Sequence, residues 1–385
     1  MLRFLTAGES HGPALVGIVE GLPAGLPISI DGINRDLARR QAGAGAGARM
    51  KIEQDQVEIT SGVWNGLTIG APVALRIENL DFKRRVGKPI PVQTIPRPGH
   101  ADLAGAQKYA LDNMTLVAER ASARETAMRV AVGSIARQLI GCFDIQVGSY
   151  VLAIGRETAA VTPLPYARRF ALADLSDVRV YDEPSAERIR ACIDTVIRSR
   201  DTVGGVIETV ALNLPVGLGS HVHWDRKLDG RLAQAVMSIP SVKGVEIGDA
   251  FENARRPGTE VQDEILPAAS SQVTRPTNRA GGLEGGITNG EPLVILAAFK
   301  PIATTLTPLR SINLTTGAGV LAQYQRSDFC HVPRAGVIVE AVVAWVLAEV
   351  LMDKIGGDSL AEMSAHWQAW QSPLPSPHKE GANGA

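Results

Sequence analysis

The chain has 385 residues, 45% apolar and 21% charged, with 39 lysines and arginines against 40 aspartates and glutamates. That length can bury a large core, as two domains or one big one, and the composition excludes an intrinsically disordered chain. A net charge of −1 gives no support to a nucleic-acid partner, whose phosphates call for a basic excess.

Charge does cluster locally. Arg35, Arg39, Arg40, Arg49 and Lys51 fall close together, as do Lys83, Arg84, Arg85 and Lys88. Such clusters in a neutral protein suit a small anionic ligand. Three widely spaced cysteines, Cys142, Cys192 and Cys330, make neither a disulfide framework nor a paired metal motif, which predicts a reducing cytoplasm. Aromatics are sparse at 4% while glycines number 39. Backbone amides and charged side chains are therefore expected to hold the ligand, more than aromatic stacking.

Residues 1–6 are too short an apolar run for a signal peptide. They lead into Ala7-Gly8-Glu9-Ser10-His11-Gly12-Pro13. Gly8 and Gly12 allow backbone angles that other residues resist, and Pro13 fixes its own, so this reads as a tight turn presenting Ser10 and His11. Histidine titrates near physiological pH, making His11 a candidate acid or base; taken alone, an ordinary polar turn is the simpler reading. Residues 14–20 read as a strand or a short apolar element, and 33–41 as a helix, basic on one side. The helix runs into Gly43-Ala44-Gly45-Ala46-Gly47-Ala48, too rich in glycine for a helix interior. Strands are predicted over 56–63 and 71–77. A proline-rich basic loop over 83–98 is closed by Arg97-Pro98-Gly99-His100-Ala101-Asp102, which presents a second histidine beside a glycine.

Ser122-Ala123-Arg124-Glu125 has the spacing of a capping box. It predicts a helix ending at Gly141, with Ala127, Val130, Ala131 and Ile135 on its apolar face. With Arg120 and Arg124 nearby, that helix start is an anion site as readily as a plain cap. From Val178 the pattern alternates: a strand, a helix with Ile189, Cys192, Ile193 and Val196 on one face, a strand over 206–214, and an amphipathic helix over 228–237. Lys243-Gly244-Val245-Glu246-Ile247-Gly248 and Gly281-Gly282-Leu283-Glu284-Gly285-Gly286 follow, then a strand over 292–299 and Arg326-Ser327-Asp328. The apolar stretch 337–352, interrupted by Glu340 and Glu349, is too short to span a bilayer and reads as a buried core helix. His221-Val222-His223 lacks a third ligand at metal spacing, and His331 beside Cys330 carries no pattern that points to chemistry. Residues 371–385 read as a disordered tail.

Antiparallel-looking strands mixed with helices predict an α+β fold rather than a doubly wound sheet. No GxGxxG follows an early strand, so a Rossmann site is unsupported. Strands followed by a helix recur loosely, which leaves open whether the two halves are duplicated.

In order along the chain, Gly8-Glu9-Ser10-His11-Gly12, Arg97-Pro98-Gly99-His100-Ala101-Asp102, Arg120-Ala121-Ser122-Ala123-Arg124-Glu125-Thr126, Lys243-Gly244-Val245-Glu246-Ile247-Gly248 and Arg326-Ser327-Asp328 resemble the chorismate synthase family. The resemblance covers residues 1–355 as one domain and leaves 356–385 as a C-terminal extension. It implies a β-α-β sandwich, a homotetramer, and a cytoplasmic carbon–oxygen lyase with no membrane, nucleic-acid or metal partner. The implied reaction is a 1,4-elimination converting 5-enolpyruvylshikimate 3-phosphate to chorismate and phosphate, toward the aromatic amino acids. It needs reduced FMN without net redox change; with no NADPH module evident, the flavin is expected to be reduced from outside, NADPH being an external reductant.

By the same resemblance, His11 would donate a proton to the leaving phosphate, with Ser10 hydrogen-bonding it. His100 would stand near the flavin ring, and Asp328 would assist proton removal. Arg39, Arg40 and Arg49 would hold the substrate's phosphate and carboxylates. Arg120, Ala121, Ser122, Pro240, Ser241, Gly285, Lys300, Pro301, Ile302, Ala303, Thr304 and Arg326 would bind the flavin. One departure stands out: the family's Gly-Tyr-Gly-Arg-Gly loop reads Gly43-Ala44-Gly45-Ala46-Gly47 here, so an expected substrate-binding arginine is Ala46. Losing one charge-assisted contact costs about 1.5–3 kcal/mol, which raises the alternative of a flavin-binding member with weakened or lost catalysis.

Overall fold

The computed structural model describes residues 1–45, 54–268, 273–325 and 327–370. One antiparallel sheet contains β1 (Arg3–Ala7), β2 (Ala14–Glu20), β3 (Val57–Ser61) and β4 (Val73–Glu78), in the spatial order β1-β2-β4-β3. The other contains β5 (Gln146–Ile154), β6 (Glu157–Thr158), β7 (Gly205–Leu212), β8 (Val242–Ile247) and β9 (Leu293–Phe299), in the order β8-β9-β7-β5-β6. The main helices are α1 (Ile30–Gln41), α2 (Asp102–Tyr109), α3 (Met114–Ala121), α4 (Thr126–Gly141), α5 (Tyr166–Leu175), α6 (Glu183–Arg198), α7 (Leu228–Met237), α8 (Val332–Ile355) and α9 (Leu360–Ala369). Helices mixed with antiparallel sheets make the fold α+β, as expected.

Helices α4 and α8 cross between the two sheets. On β2, Leu15 and Val19 point inward to the core while Val16 and Ile18 face outward, the two-residue period of a strand. A Cβ on Gly17 would lie 2.7 Å from Met128 Sδ of α4, so the sheet sits directly on that helix. Helix α8 is apolar all round, with a mean hydropathy of 2.1 over a window that is 89% buried, which is the pattern of a core helix. Where α4 meets α8, a Cβ on Gly133 would stand 2.4 Å from the carbonyl oxygen of Ala341. The helices touch backbone to backbone there. Gly133→Val is expected to destabilise the protein by about 3 kcal/mol, the upper end of overpacking costs, read as a lower urea midpoint. An unchanged midpoint would mean that the helices separate there without strain.

The two halves are duplicated. Leu22-Pro23-Ala24-Gly25-Leu26 follows β2, and Leu214-Pro215-Val216-Gly217-Leu218 follows β7. Each segment is gripped by a threonine from a tight hairpin. Thr68 Oγ1 donates to Pro23 O (2.5 Å) and accepts from Leu26 N (2.9 Å). Thr288 Oγ1 donates to Pro215 O (2.6 Å) and accepts from Leu218 N (2.8 Å). The hairpins 63–68 and 283–288 lead into β4 and β9, and β2-β4-β3 in one sheet corresponds to β7-β9-β8 in the other.

Two local expectations are corrected. Ser122 Oγ accepts from Arg124 N (3.3 Å) and caps a single 3-10 turn, while Glu125 turns its carboxylate to Arg129 (2.6 Å), so the reciprocal box is not made and α4 starts at Thr126. A reciprocal capping box is made instead by Ser359 and Glu362, at the start of α9. The expected strand at Val178 is absent because Arg179 takes a left-handed φ of +55°, which breaks a ladder and turns its guanidinium inward. Within residues 356–370 the chain docks on the domain: Leu360 N donates to Ala24 O (2.8 Å), and Met363 of α9 is fully buried. Residues 371–385 lie outside the described residues.

Candidate active site

The opening turn keeps Gly8 at φ +111°, where a Cβ would stand 2.5 Å from Ala14 O, so glycine is required. Asn79 Nδ2 ties the turn closed by donating to Glu9 O (3.1 Å) and Gly12 O (2.8 Å). Glu119, near the end of α3, then receives His11 twice: Oε1 accepts from Nδ1 (2.6 Å) and Oε2 from the backbone N (2.6 Å). Because a carboxylate only accepts, Nδ1 carries a proton and Nε2 is the atom that can exchange one. Burial would raise the Glu119 carboxyl, but its hydrogen bonds from His11 outweigh that and hold it below the ordinary range. Ser10 N donates to Glu119 O (3.0 Å), and the Ser10 hydroxyl meets Ser122 Oγ at 3.2 Å.

From Ser122 the site continues into a buried cluster of arginines. Arg124 donates to Asn79 Oδ1 (2.8 Å) and to both oxygens of Asp55 (2.6 and 2.8 Å). Arg40, from α1, reaches Ala123 O and Thr126 Oγ1 (each 3.0 Å) and Asp55 (3.6 Å). In the first turn of α8, Arg334 donates to Asp328 Oδ2 (2.7 Å), while its Nε and Nη2 are buried with no hydrogen-bond partner among the described residues. Burial, with the fields of Arg124 and Arg334 against those of Asp55 and Asp328, pulls Arg40 down to about 10; it stays cationic at pH 7. Among the described residues, three guanidiniums thus share two carboxylates, an excess of positive charge suited to an anion.

His100 heads a second group. Its Nδ1 stands 2.5 Å from Asp102 Oδ1, and the Arg97 fork grips both Asp102 oxygens (2.7 and 2.8 Å). Burial would raise the fully buried Asp102, but hydrogen bonds from Arg97 and His100 drive it well below the usual carboxylate range. With side chains 26% and 20% exposed, His11 and His100 are shielded yet reachable. Lys300 Nζ donates to Gly99 O (2.5 Å), joining 300–304 to the His100 turn, and Ser327 Oγ donates to Thr304 O (3.2 Å), joining it to Asp328. Ser241 adopts a left-handed φ of +75° and accepts from Lys300 N (2.9 Å). Helix α2, which starts at Asp102, packs on α3, where a Cβ on Gly105 would stand 2.4 Å from Val117. The circuit therefore closes back on Glu119 and His11.

A family model described as chorismate synthase matches residues 2–352. The chain belongs to the chorismate synthase family. The chorismate synthase of Symbiobacterium thermophilum is 52% identical over 384 residues, covering 96% of this chain and 98% of that protein. That of Geobacter sulfurreducens is 51% identical over 386 residues, with the same coverage of 96% and 98%. A crystal structure of chorismate synthase matches with a TM-score of 0.79 at 40% identity, covering 96% of this chain and 97% of that one. As a chorismate synthase family member the chain is an enzyme, a carbon–oxygen lyase of aromatic amino acid biosynthesis, in a family that is flavin-dependent.

Of the residues expected from the chorismate synthase resemblance, Ser10, His11, Arg40, His100, Ser122, Ser241, Lys300, Thr304 and Asp328 are linked by the contacts above, with Ala121, Pro240, Pro301, Ile302 and Ala303 beside them in the chain. Arg120 donates to Thr6 O (2.9 Å) and Gly8 O (3.2 Å), stapling α3 to the opening turn. Arg39 and Gly285 stand apart. The Arg39 fork is taken up by Asp36 (2.9 Å), Asp174 (2.8 Å) and Glu340 (2.9 Å). Gly285 sits at the tip of the 283–288 hairpin, with His221 Cβ at 3.8 Å. Arg49, Arg326 and Ala46 lie outside the described residues. Sequence reasoning missed Glu119, Asp55, Asn79 and Arg334 as site residues. Only Asp102 had a visible signal, two residues after His100.

Proposed function

We propose that this chain converts 5-enolpyruvylshikimate 3-phosphate to chorismate and phosphate by 1,4-elimination. The observation that carries the reading is the excess of positive charge in the Arg40, Arg124 and Arg334 cluster, next to a histidine oriented by a carboxylate. Arg40 and Arg334, with Arg49, hold the substrate's phosphate and carboxylates through charge-assisted bonds. Arg39 contributes by fixing α1. His11, held through Nδ1, gives its Nε2 proton to the departing phosphate, and Ser10 supports its backbone position. Asp328, ion-paired with Arg334 (2.7 Å), takes up the proton released on the other side of the substrate.

The donors present fit reduced FMN. Lys300 offers an ammonium for a phosphate tail, the strained turn at Ser241 brings backbone close, and His331, three residues after Asp328, carries two buried ring nitrogens with no hydrogen-bond partner among the described residues. When bound, reduced FMN supplies electron density to the breaking C–O bond and recovers it, so no net oxidation occurs. His100, positioned by Asp102, hydrogen-bonds the flavin ring and holds a proton there; Arg120, Ala121, Ser122 and Arg326 complete the cofactor's surroundings. The flavin is reduced outside this chain. The protein acts in the cytoplasm as a homotetramer, for which the outer face of the first sheet offers an apolar patch: Leu5, Val16 and Ile18 are 71%, 41% and 50% exposed.

A second reading rests on Ala46: a flavin-binding member whose substrate site is crippled. An anaerobic turnover assay with chemically reduced FMN separates the two, following chorismate and phosphate together. The unaltered chain is expected to form both in equal amounts, with Ala46→Arg lowering KM by roughly tenfold to a hundredfold. Product from Ala46→Arg alone would favour the second reading, and silence from both would sink the proposal.

A further inference from the structure

His331 is left unused by the chemistry above. It directly precedes α8, between Asp328 and Arg334 in the chain, and its ring meets Phe299 edge-on with centroids 5.6 Å apart. Both ring nitrogens are buried, and neither has a hydrogen-bond partner among the described residues. Native proteins leave few buried polar atoms unpaired, because each costs the full desolvation of the group. Arg334, in the next turn, has two more such nitrogens. The Arg334 pair is met by the anionic substrate of the proposed reaction, which leaves the two His331 nitrogens, three residues after Asp328, to point to a further ligand group as their partner.

The chemistry of the ring says which ligand. Burial, with Arg334 adding to it and Asp328 opposing, pushes the imidazole down to about 4, so it is neutral at pH 7. A neutral imidazole has one donor and one acceptor. It is a poor match for phosphate or carboxylate oxygens, which only accept. It does match a ring edge on which acceptors and donors alternate, as on the pyrimidine half of a flavin. Phe299, on which the imidazole rests, runs straight into residues 300–304, part of the cofactor's surroundings proposed above.

We propose that His331 hydrogen-bonds the polar edge of the bound flavin and sets how tightly the ring is held. This rests on the flavin reading of the site. The test is FMN titration by fluorescence quenching and visible difference spectra, with no turnover, on the unaltered chain and on His331→Ala, His331→Leu and His331→Gln. The Kd for FMN is expected to rise about tenfold in the alanine and leucine variants, with a shifted flavin band. Glutamine, which keeps a donor and an acceptor, is expected to recover most of the affinity. Leucine buries no polar atom and is expected to keep or raise Tm, so a loss of affinity in that variant is not a loss of fold. Equal affinity and an unchanged spectrum in all four proteins would overturn the role of His331 and leave the flavin reading standing. An unaltered chain that binds no FMN would overturn both.

Discussion

Replacing His11 by alanine is expected to lower kcat by a factor of about 10²–10⁴, the range a positioned general acid supplies, while leaving the fold intact. The turn that carries it is held by Asn79 and by the glycine at position 8, neither of which needs the imidazole. Glu119 uses one oxygen on Nδ1 and the other on the backbone nitrogen of the same residue, fixing the ring and its register together. Glu119→Gln keeps that shape and removes the charge. It is expected to leave KM nearly unchanged and to lower kcat by about tenfold to a hundredfold, the worth of one charge-assisted bond. Single-turnover phosphate release with reduced FMN measures both variants. A His11→Ala enzyme within about threefold of the unaltered rate would remove His11 from the proton transfer.

The second large effect is on stability. Glu340, 1% exposed on α8, accepts from Arg39 (2.9 Å), Arg137 (2.5 Å), Arg179 (2.9 Å) and the Ser149 hydroxyl (2.7 Å). It ties α1, α4, β5 and the segment after α5 to the central helix. Glu340→Ala leaves three guanidiniums without their common partner and is expected to cost about 3–5 kcal/mol in urea unfolding. Glu340→Gln keeps the volume but not the charge and is expected to fall between. Burial would raise the Glu340 carboxyl, but Arg39, Arg137 and Arg179 outweigh it and hold it far below the ordinary range. A depressed folded-state pKa means the stabilisation is complete above the unfolded value of about 4.3 and is lost as pH falls from there toward the folded value. The gap between unaltered and Glu340→Gln proteins should therefore be full at pH 7 and shrink below pH 4.3. A gap that stays constant to low pH would show that packing, not charge, is what Glu340 provides.

Much of the fold could be read from local pattern. The alternation in residues 14–20, the spacing of Leu228, Leu232 and Val236, and the all-round apolar run of α8 each specify an element through the period of its buried side chains. The duplication had a signal as well, in the two Leu-Pro-x-Gly-Leu segments, but five residues recurring 192 positions apart gain meaning only once both are seen gripped by the same threonine contacts. The capping box at Ser122 misled because a cap also needs a glutamate that is not drawn elsewhere, and Arg129 one turn on drew it away.

By itself, the sequence determined most of the element types, the presented histidines and, through five ordered motifs, the family. It did so because turn geometry, side-chain period and motif order are local properties of the chain. What the tertiary structure alone decided is which charges meet. Arg39 and Arg40 are neighbours on one helix, yet successive helical residues point about 100° apart. One guanidinium is therefore consumed by Glu340, and the other joins Arg124 and Arg334 where an anion can bind. Glu119 and His11 are 108 residues apart, as are no two residues that a motif can relate. Charge pairing is short-ranged in space and blind to distance along the chain, so the carboxylate that orients His11 had to wait for the fold.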